Sequence, residues 1–163
     1  MRFKKRYLLC EIIYADRLQI AKKVTGKDVY YSVKQMVQKA HGDYGMGALQ
    51  ISLAVKYFNA QTNMVIFRAD RAFYKLLMSA LALTKELFGQ EACFHTLHVS
   101  GTIRSCHKFL VKHHRQQLPL MLAQCTTEEE KDKLRQIIHG IDKRQASLMG
   151  PVLDPEGHSG QRS

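Results

Sequence analysis

A chain of 163 residues, 45% of them hydrophobic, is long enough for one domain of roughly 100–150 residues with a real core plus a tail, and too short for two full domains. Lysine and arginine outnumber aspartate and glutamate 25 to 14, and the excess is uneven: residues 1–127 hold 19 basic and 7 acidic side chains (net +12), residues 128–163 hold 6 and 7 (net −1). Such a field favours nucleic acid or an anionic surface; no run of about 18 apolar residues exists to span a bilayer, and the apolar stretch after Arg6 is interrupted by Glu11 too soon for a signal peptide, so the chain reads as soluble and intracellular.

In chain order, Arg6 to Tyr14 is almost wholly apolar and rich in Tyr7, Ile12, Ile13 and Tyr14, which predicts a strand buried on both faces. A loop with Thr25-Gly26-Lys27 precedes Tyr30, Val33, Val37 and Ala40 at helical spacing, and Gly42, Gly45 and Gly47 are expected to end that helix. From Leu49 through Ile51, Leu53 and Val55 to Tyr57 every second residue is apolar, with Gln50, Ser52 and Lys56 between them, as in a strand with one wet face. Asn59 to Asn63 reads as a hairpin turn, Met64 to Ala69 as a third strand, and Asp70 as the N-cap of a helix carrying Phe73, Leu77, Ala80, Leu81 and Leu87. A fourth strand, Ala92 to Val99, follows.

The order strand-helix-strand-strand-helix-strand is the ferredoxin-like βαββαβ plan, an α+β two-layer sandwich with an antiparallel sheet and an appended helix from Thr102. That helix is the obvious cover in cis for the sheet face opposite the two crossover helices. Residues 1–126 are expected to make the domain. Thr127-Glu128-Glu129-Glu130 is a capping box opening a short helix over 127–139, and 140–163 read as a flexible tail.

The most informative segment is Thr96-Leu97-His98-Val99-Ser100-Gly101-Thr102-Ile103-Arg104 and on to Arg115, a strand that turns through small residues into a two-faced helix. At ~100° per residue Arg104, Lys108, Lys112 and Arg115 fall within about 80° of one another, and Ile103, Cys106, Phe109 and Leu110 lie on the far side. Ser100 or Thr102 can cap the helix start and Gly101 permits close backbone approach, so free N–H groups and the positive end of the helix favour an anion, most simply a phosphate. Arg2, Lys4, Lys5 and Arg6 form a second basic cluster, and Lys56 adds a cation on the wet side of the second strand. The two clusters are expected at opposite ends of their strands, so that either an extended ligand spans both or only one matters.

No nucleophile with its base, paired carboxylates or metal-ligand cluster is visible. His95 and His98 should point to opposite faces of a strand and not share an ion. His107, His113 and His114 flank the cationic stripe, either contacting phosphate or simply solvated. Arg104 with Asn59 or Asn63 could imitate the pairing of small acyl-phosphate hydrolases on this fold, by fold analogy alone. Tyr7, Tyr57 and Phe67 could be core or a base-stacking platform, and the Gly-Phe-Gly-Phe type signature of RNA-recognition domains is missing. The four cysteines, Cys10, Cys93, Cys106 and Cys125, lack CxxC spacing and each sits among apolar residues, which suggests buried free thiols in a reducing compartment.

Three ordered blocks, Arg2 to Glu11, Val55 to Thr62 and above all Thr96 to Leu110, resemble the family of small processing-of-precursor protein subunits, fifth of the yeast series, of ribonuclease P and RNase MRP. The resemblance spans roughly residues 2–126; downstream, some relatives carry a strongly acidic tail where this chain is near neutral. It implies a non-catalytic subunit of a ribonucleoprotein in which RNA, using Mg2+, removes the 5′ leader of precursor tRNA, and in RNase MRP processes precursor rRNA. The protein would bind no cofactor itself. Implied partners are ribonuclease P RNA, RNase MRP RNA, the TIM-barrel-like protein subunit and the other subunits, with precursor tRNA met indirectly and no membrane. The implied location is nucleus and nucleolus. The RNA-facing set is then Arg2, Lys4, Lys5, Arg6, Lys56, Ser100, Gly101, Thr102, Arg104, Lys108, Lys112 and Arg115. A protein-protein scaffold with little RNA contact is the alternative.

Overall fold

Alternating and continuous apolar runs separated by helical stretches give a mixed α/β fold. The structure, a computed structural model, describes residues 4–15, 24–60 and 62–148. The elements are β1 (Lys5–Tyr14), α1 (Gly26–Leu49), β2 (Ala54–Asn59), β3 (Met64–Asp70), α2 (Tyr74–Ala82), β4 (Glu86–Leu87), β5 (Gln90–Ser100), α3 (Ile103–Gln124) and α4 (Glu128–Leu148). One sheet has the order β2-β3-β1-β5-β4, and its pairings are antiparallel. Residues up to Phe109 form one compact unit and those from Leu110 on a second.

The continuous apolar run of β1 is explained by its central position. Leu8, Cys10, Ile12 and Tyr14 face the core built with Val29, Val33 and Val37 of α1 and Leu77, Ala80 and Leu81 of α2. Leu9, on the opposite face, pairs with the buried Ile66 and is itself fully buried. That second face is met by the first turns of α3. The Cys106 thiol donates to the Tyr7 carbonyl at 3.5 Å, the His107 ring meets Tyr57 edge-on at 5.6 Å, and Phe109 stacks on His98 at 4.6 Å with planes 5° apart.

Several boundaries depart from the sequence reading. The glycines after Ala40 do not end α1: Gly42 leaves helical geometry (φ 63°, ψ −154°), and the helix resumes to Leu49. His41 closes on α2, its Nε2 2.7 Å from Ser79 Oγ and 3.0 Å from the Leu76 carbonyl, and a Cβ at Gly45 would strike His41. Leu49 is therefore the last core residue of a helix, and Ile51 is 92% exposed in the turn before β2. The alternation from Leu49 was a helix end and a turn running in step with a strand.

Asp70 does not cap α2. It closes β3, pairs through its carboxylate with Lys5, and accepts the Phe73 amide only with its carbonyl; Phe73 occupies the N-cap without a side-chain bond. Leu87 lies in the short β4, outside the helix. Thr25, read as loop, makes a full capping box with Asp28 at the start of α1.

In the second unit α3 continues through Pro119, whose missing N–H leaves the Arg115 carbonyl without its intrahelical donor. Thr127 Oγ1 accepts the Glu130 amide at 3.3 Å, but the Glu130 carboxylate returns to Thr126, one residue earlier than a standard box. α4 then runs to Leu148, well past His139, so the first part of the expected tail is helix; residues 149–163 lie outside the described residues. Among the described residues no helix is long and apolar enough to cross a membrane.

Candidate nucleic-acid interface

Antiparallel pairing of β1 with β5 sets Tyr7 opposite Ser100, so the start of the first strand and the end of the last share one edge. The expectation that the two basic clusters sit at opposite strand ends is corrected by this register. Arg6 Nη1 donates to the Lys5 carbonyl at 3.2 Å, and a Cβ at Gly101 would come within 3.3 Å of that same nitrogen. Glycine at 101 therefore matters because a guanidinium crosses over it.

The turn is held by hydroxyls. Ser100 Oγ accepts the Thr102 amide at 3.3 Å, and Thr102 Oγ1 accepts the Ser105 amide at 3.2 Å, so Thr102 is the N-cap of α3 and Ser100 braces the turn before it. Both hydroxyl oxygens turn their lone pairs to amides at the electropositive helix start, where acceptors are favoured. Arg104 and Lys108 follow as exposed side chains of the first turns; Lys112 and Arg115 are exposed on the part of α3 that belongs to the second unit.

Of the other basic residues, Lys4 is exposed and its carbonyl accepts the Arg71 amide at 2.9 Å. Arg71, exposed just beyond β3, is thereby drawn to the same edge, although sequence reading passed over it. The signal was indirect: Lys5 pairs with Asp70, so whatever follows Asp70 arrives beside Lys4. Lys5 itself is tied to the Asp70 carboxylate and half-buried, which leaves it less charge to offer outside. Lys56 is exposed in the irregular step between Val55 and Tyr57 on the outer strand β2, two strands from β1. Arg2 lies outside the described residues.

The histidines behave differently from the expectation. Register shifts between Leu9 and Cys10, where His98 pairs with Leu9 and Thr96 with Cys10, leaving Leu97 as an extra residue. Alternation restarts there, so His95, opposite Glu11, and His98, opposite Leu9, share the second sheet face. Among the described residues no three His, Cys, Asp or Glu side chains gather as a metal set. His107 and His114 are buried, so neither is simply solvated. Burial pushes the His107 imidazole below its usual pKa, and its Nδ1 has no hydrogen-bond partner among the described residues.

Cys10 and Cys106 are buried, with their thiols pushed up to about 12 and about 11 by desolvation, whereas Cys93 is exposed, against expectation, because its face of β5 is open there. Tyr57 serves as a contact for His107, and Phe67 is fully buried core, so neither forms a platform. Asn63 sits in the β2–β3 turn beside Ile12, and Asn59 pairs with Met64 at the same end; Arg104 starts α3 near Tyr7 at the other end, four or more strand residues away, roughly 13 Å, so the hydrolase-like pairing is not assembled.

The family model described as Rpp14/Pop5 family matches residues 6–111. The ribonuclease P/MRP protein subunit POP5 of Danio rerio is 42% identical over 144 residues, covering 85% of this chain and 85% of that protein. The Bos taurus protein of the same name is 39% identical over 145 residues, 85% and 83% covered, and the Schizosaccharomyces pombe protein is 30% identical over 126 residues, 72% and 91% covered. A chain of the yeast ribonuclease MRP cryo-EM structure shares the fold, with TM-score 0.50 at 13% identity over 88% of this chain and 95% of that one. The match spans β1, the crossover helices, β5 and the cationic start of α3, and on that evidence the chain belongs to the Rpp14/Pop5 family.

Proposed function

We propose that this protein is a subunit of ribonuclease P and RNase MRP, the one removing 5′ leaders from precursor tRNA and the other processing precursor rRNA, and that it acts by supporting the RNA. In this reading RNA performs the chemistry with Mg2+, and the protein, without a cofactor of its own, neutralises phosphates so that the RNA core stays compact. The observation that carries it is the Tyr7–Ser100 pairing, which unites two basic clusters far apart in sequence at the positive start of α3, in a chain up to 42% identical to subunits of these particles. Lys4, Arg6, Gly101, Thr102, Arg104 and Lys108 would line the contact, with Arg71 added to the set. The strand order β2-β3-β1-β5, crossed by α1 and α2, supports the ferredoxin-like plan with β4 as an insertion. The TIM-barrel-like subunit as neighbour, and nucleus and nucleolus as location, follow from the same reading.

The test is recovery of the tagged protein from its own cells in mild salt, with sequencing of bound RNA and assay for precursor-tRNA leader cleavage. Ribonuclease P or MRP RNA, with cleavage abolished by nuclease, is expected. Activity that survives RNA removal, or particles unaffected by reversing Arg104 and Lys108 to Glu, would overturn the reading in favour of an enzyme or a protein scaffold respectively.

A further inference from the structure

We infer that the cleft between the start of α1 and the start of β2 receives an unstacked base of the RNA strand whose phosphates lie along the β1–β5 edge. The inference rests on the RNA reading above and adds to it a ligand class and a second place of contact. The cleft, about 380 Å3, is formed by Lys27, Tyr30 and Tyr31 of α1 and by Leu53, Ala54 and Val55 leading into β2. Tyr31 is 60% exposed; Tyr30 packs against the core and meets it edge-on at 5.6 Å and 73°. The outer ring is thus propped by the inner one. A supported, exposed aromatic ring beside an open cleft with a lysine at its rim suits a nucleobase, since stacking is tolerant of sequence and the cation answers the adjoining phosphate.

Register puts this cleft in line with the cationic edge. Ala54 pairs with Arg68, Arg68 with Tyr7, and Tyr7 with Ser100, a single row across four strands. Three steps of about 4.8 Å make the row roughly 14 Å long. At one end stand Gly101 and the Arg6 guanidinium and at the other the tyrosine cleft; Arg68, between them in the row, turns its side chain to the sheet face away from α1 and donates from Nε to the Ser52 carbonyl at 3.5 Å.

The ligand at the α1 end is a base and not another phosphate. The Asp28 carboxylate already occupies the helix start, accepting from the Thr25 amide and hydroxyl at 2.8 Å each, and those bonds hold it below the usual carboxylate range. A fixed anion there offsets the positive helix end, so the helix start offers no phosphate site of its own; the uncharged ring face is the attractive surface, and Lys27 is left for the phosphate of the same nucleotide. The larger opening between α1 and the β4 turn, about 500 Å3, carries Lys39, Lys85 and Glu86 and lies toward the Gln90 end of β5, away from Ser100 and off this row.

The experiment titrates the full-length protein with a short single-stranded RNA of mixed sequence, and with the same sequence closed into a duplex, over a range of salt. Tyr31→Ala is expected to weaken single-strand binding roughly 5- to 150-fold, the equivalent of about 1–3 kcal/mol for one stacked base, and to leave duplex affinity and the salt slope unchanged. Tyr31→Phe should restore binding. Thermal unfolding of both variants should match the parent, because the ring is mostly exposed. Parental single-strand affinity in Tyr31→Ala, alongside weakened binding when Arg6 and Arg71 are reversed to Glu, overturns the base site and leaves the edge standing. Parental affinity in the arginine variant overturns the edge, and the base site with it. If Tyr31→Ala spares RNA but loses a protein subunit from particles recovered from cells, the cleft holds an extended peptide on the open edge of β2 and the inference is wrong.

Discussion

Lys5 and Arg6 are neighbours of the same charge whose surroundings give them different work. Lys5 is neutralised by Asp70 across the sheet, while Arg6 donates to a backbone carbonyl, makes no ion pair among the described residues and stands over Gly101. The slope of log affinity against log salt should therefore flatten by about 0.7–0.9 in Arg6→Ala, the loss of one phosphate contact, and change much less in Lys5→Ala. Equal flattening in both variants would mean that the ion pair opens when RNA binds. This difference could not be read from Arg2-Phe3-Lys4-Lys5-Arg6, where all four cations look alike. Only the register that lays Asp70 beside Lys5 separates them.

Among the elements, α1 and α3 each carry one residue on which their placement depends. Gly42 holds a backbone conformation open only to glycine (φ 63°, ψ −154°), with no atom of a neighbouring group within 4 Å of where a Cβ would sit. Gly42→Ala should thus destabilise the fold by about 1–3 kcal/mol through backbone strain alone, visible as a lower denaturant midpoint. An unchanged midpoint would show that α1 can straighten. In α3, His107 is buried beside Tyr57 and its pKa is depressed by desolvation. A lowered native pKa contributes stability that is present above the unfolded value of 6.5 and disappears as pH falls through the native value. Melting temperature should drop on acidification below about 6.5 in the parent and less steeply in His107→Phe, which keeps the edge contact and cannot take a proton. Parallel curves would place the acid sensitivity elsewhere.

In the molecule as a whole, the sheet, the crossover helices and the appended helix were legible because burial imposes period on sequence: β1 reads as continuous apolar and α3 as two-faced. The features that escaped were those set by pairing. The extra Leu97 that moves His95 and His98 to one face has no mark in a string of alternating residues, and the coincidence of Leu49, Ile51 and Leu53 at even spacing concealed a helix end. The turn at Ser100-Gly101-Thr102 was legible as an anion-friendly cap, but its meeting with Arg6 was not, because nothing in local sequence says which strand will lie alongside.

Gly101 and Arg6 bear on inheritance as well as on binding. A Cβ at 101 would press on the tip of the guanidinium at 3.3 Å and shift it by a few tenths of an ångström, and a shorter residue at 6 would remove that pressure. The two positions are therefore coupled, though loosely, because the tip of an arginine can yield. Across descendants of a common ancestor, departures from glycine at the first should travel with loss of arginine at the second, linking the histories of two segments that are almost a whole domain apart in the gene.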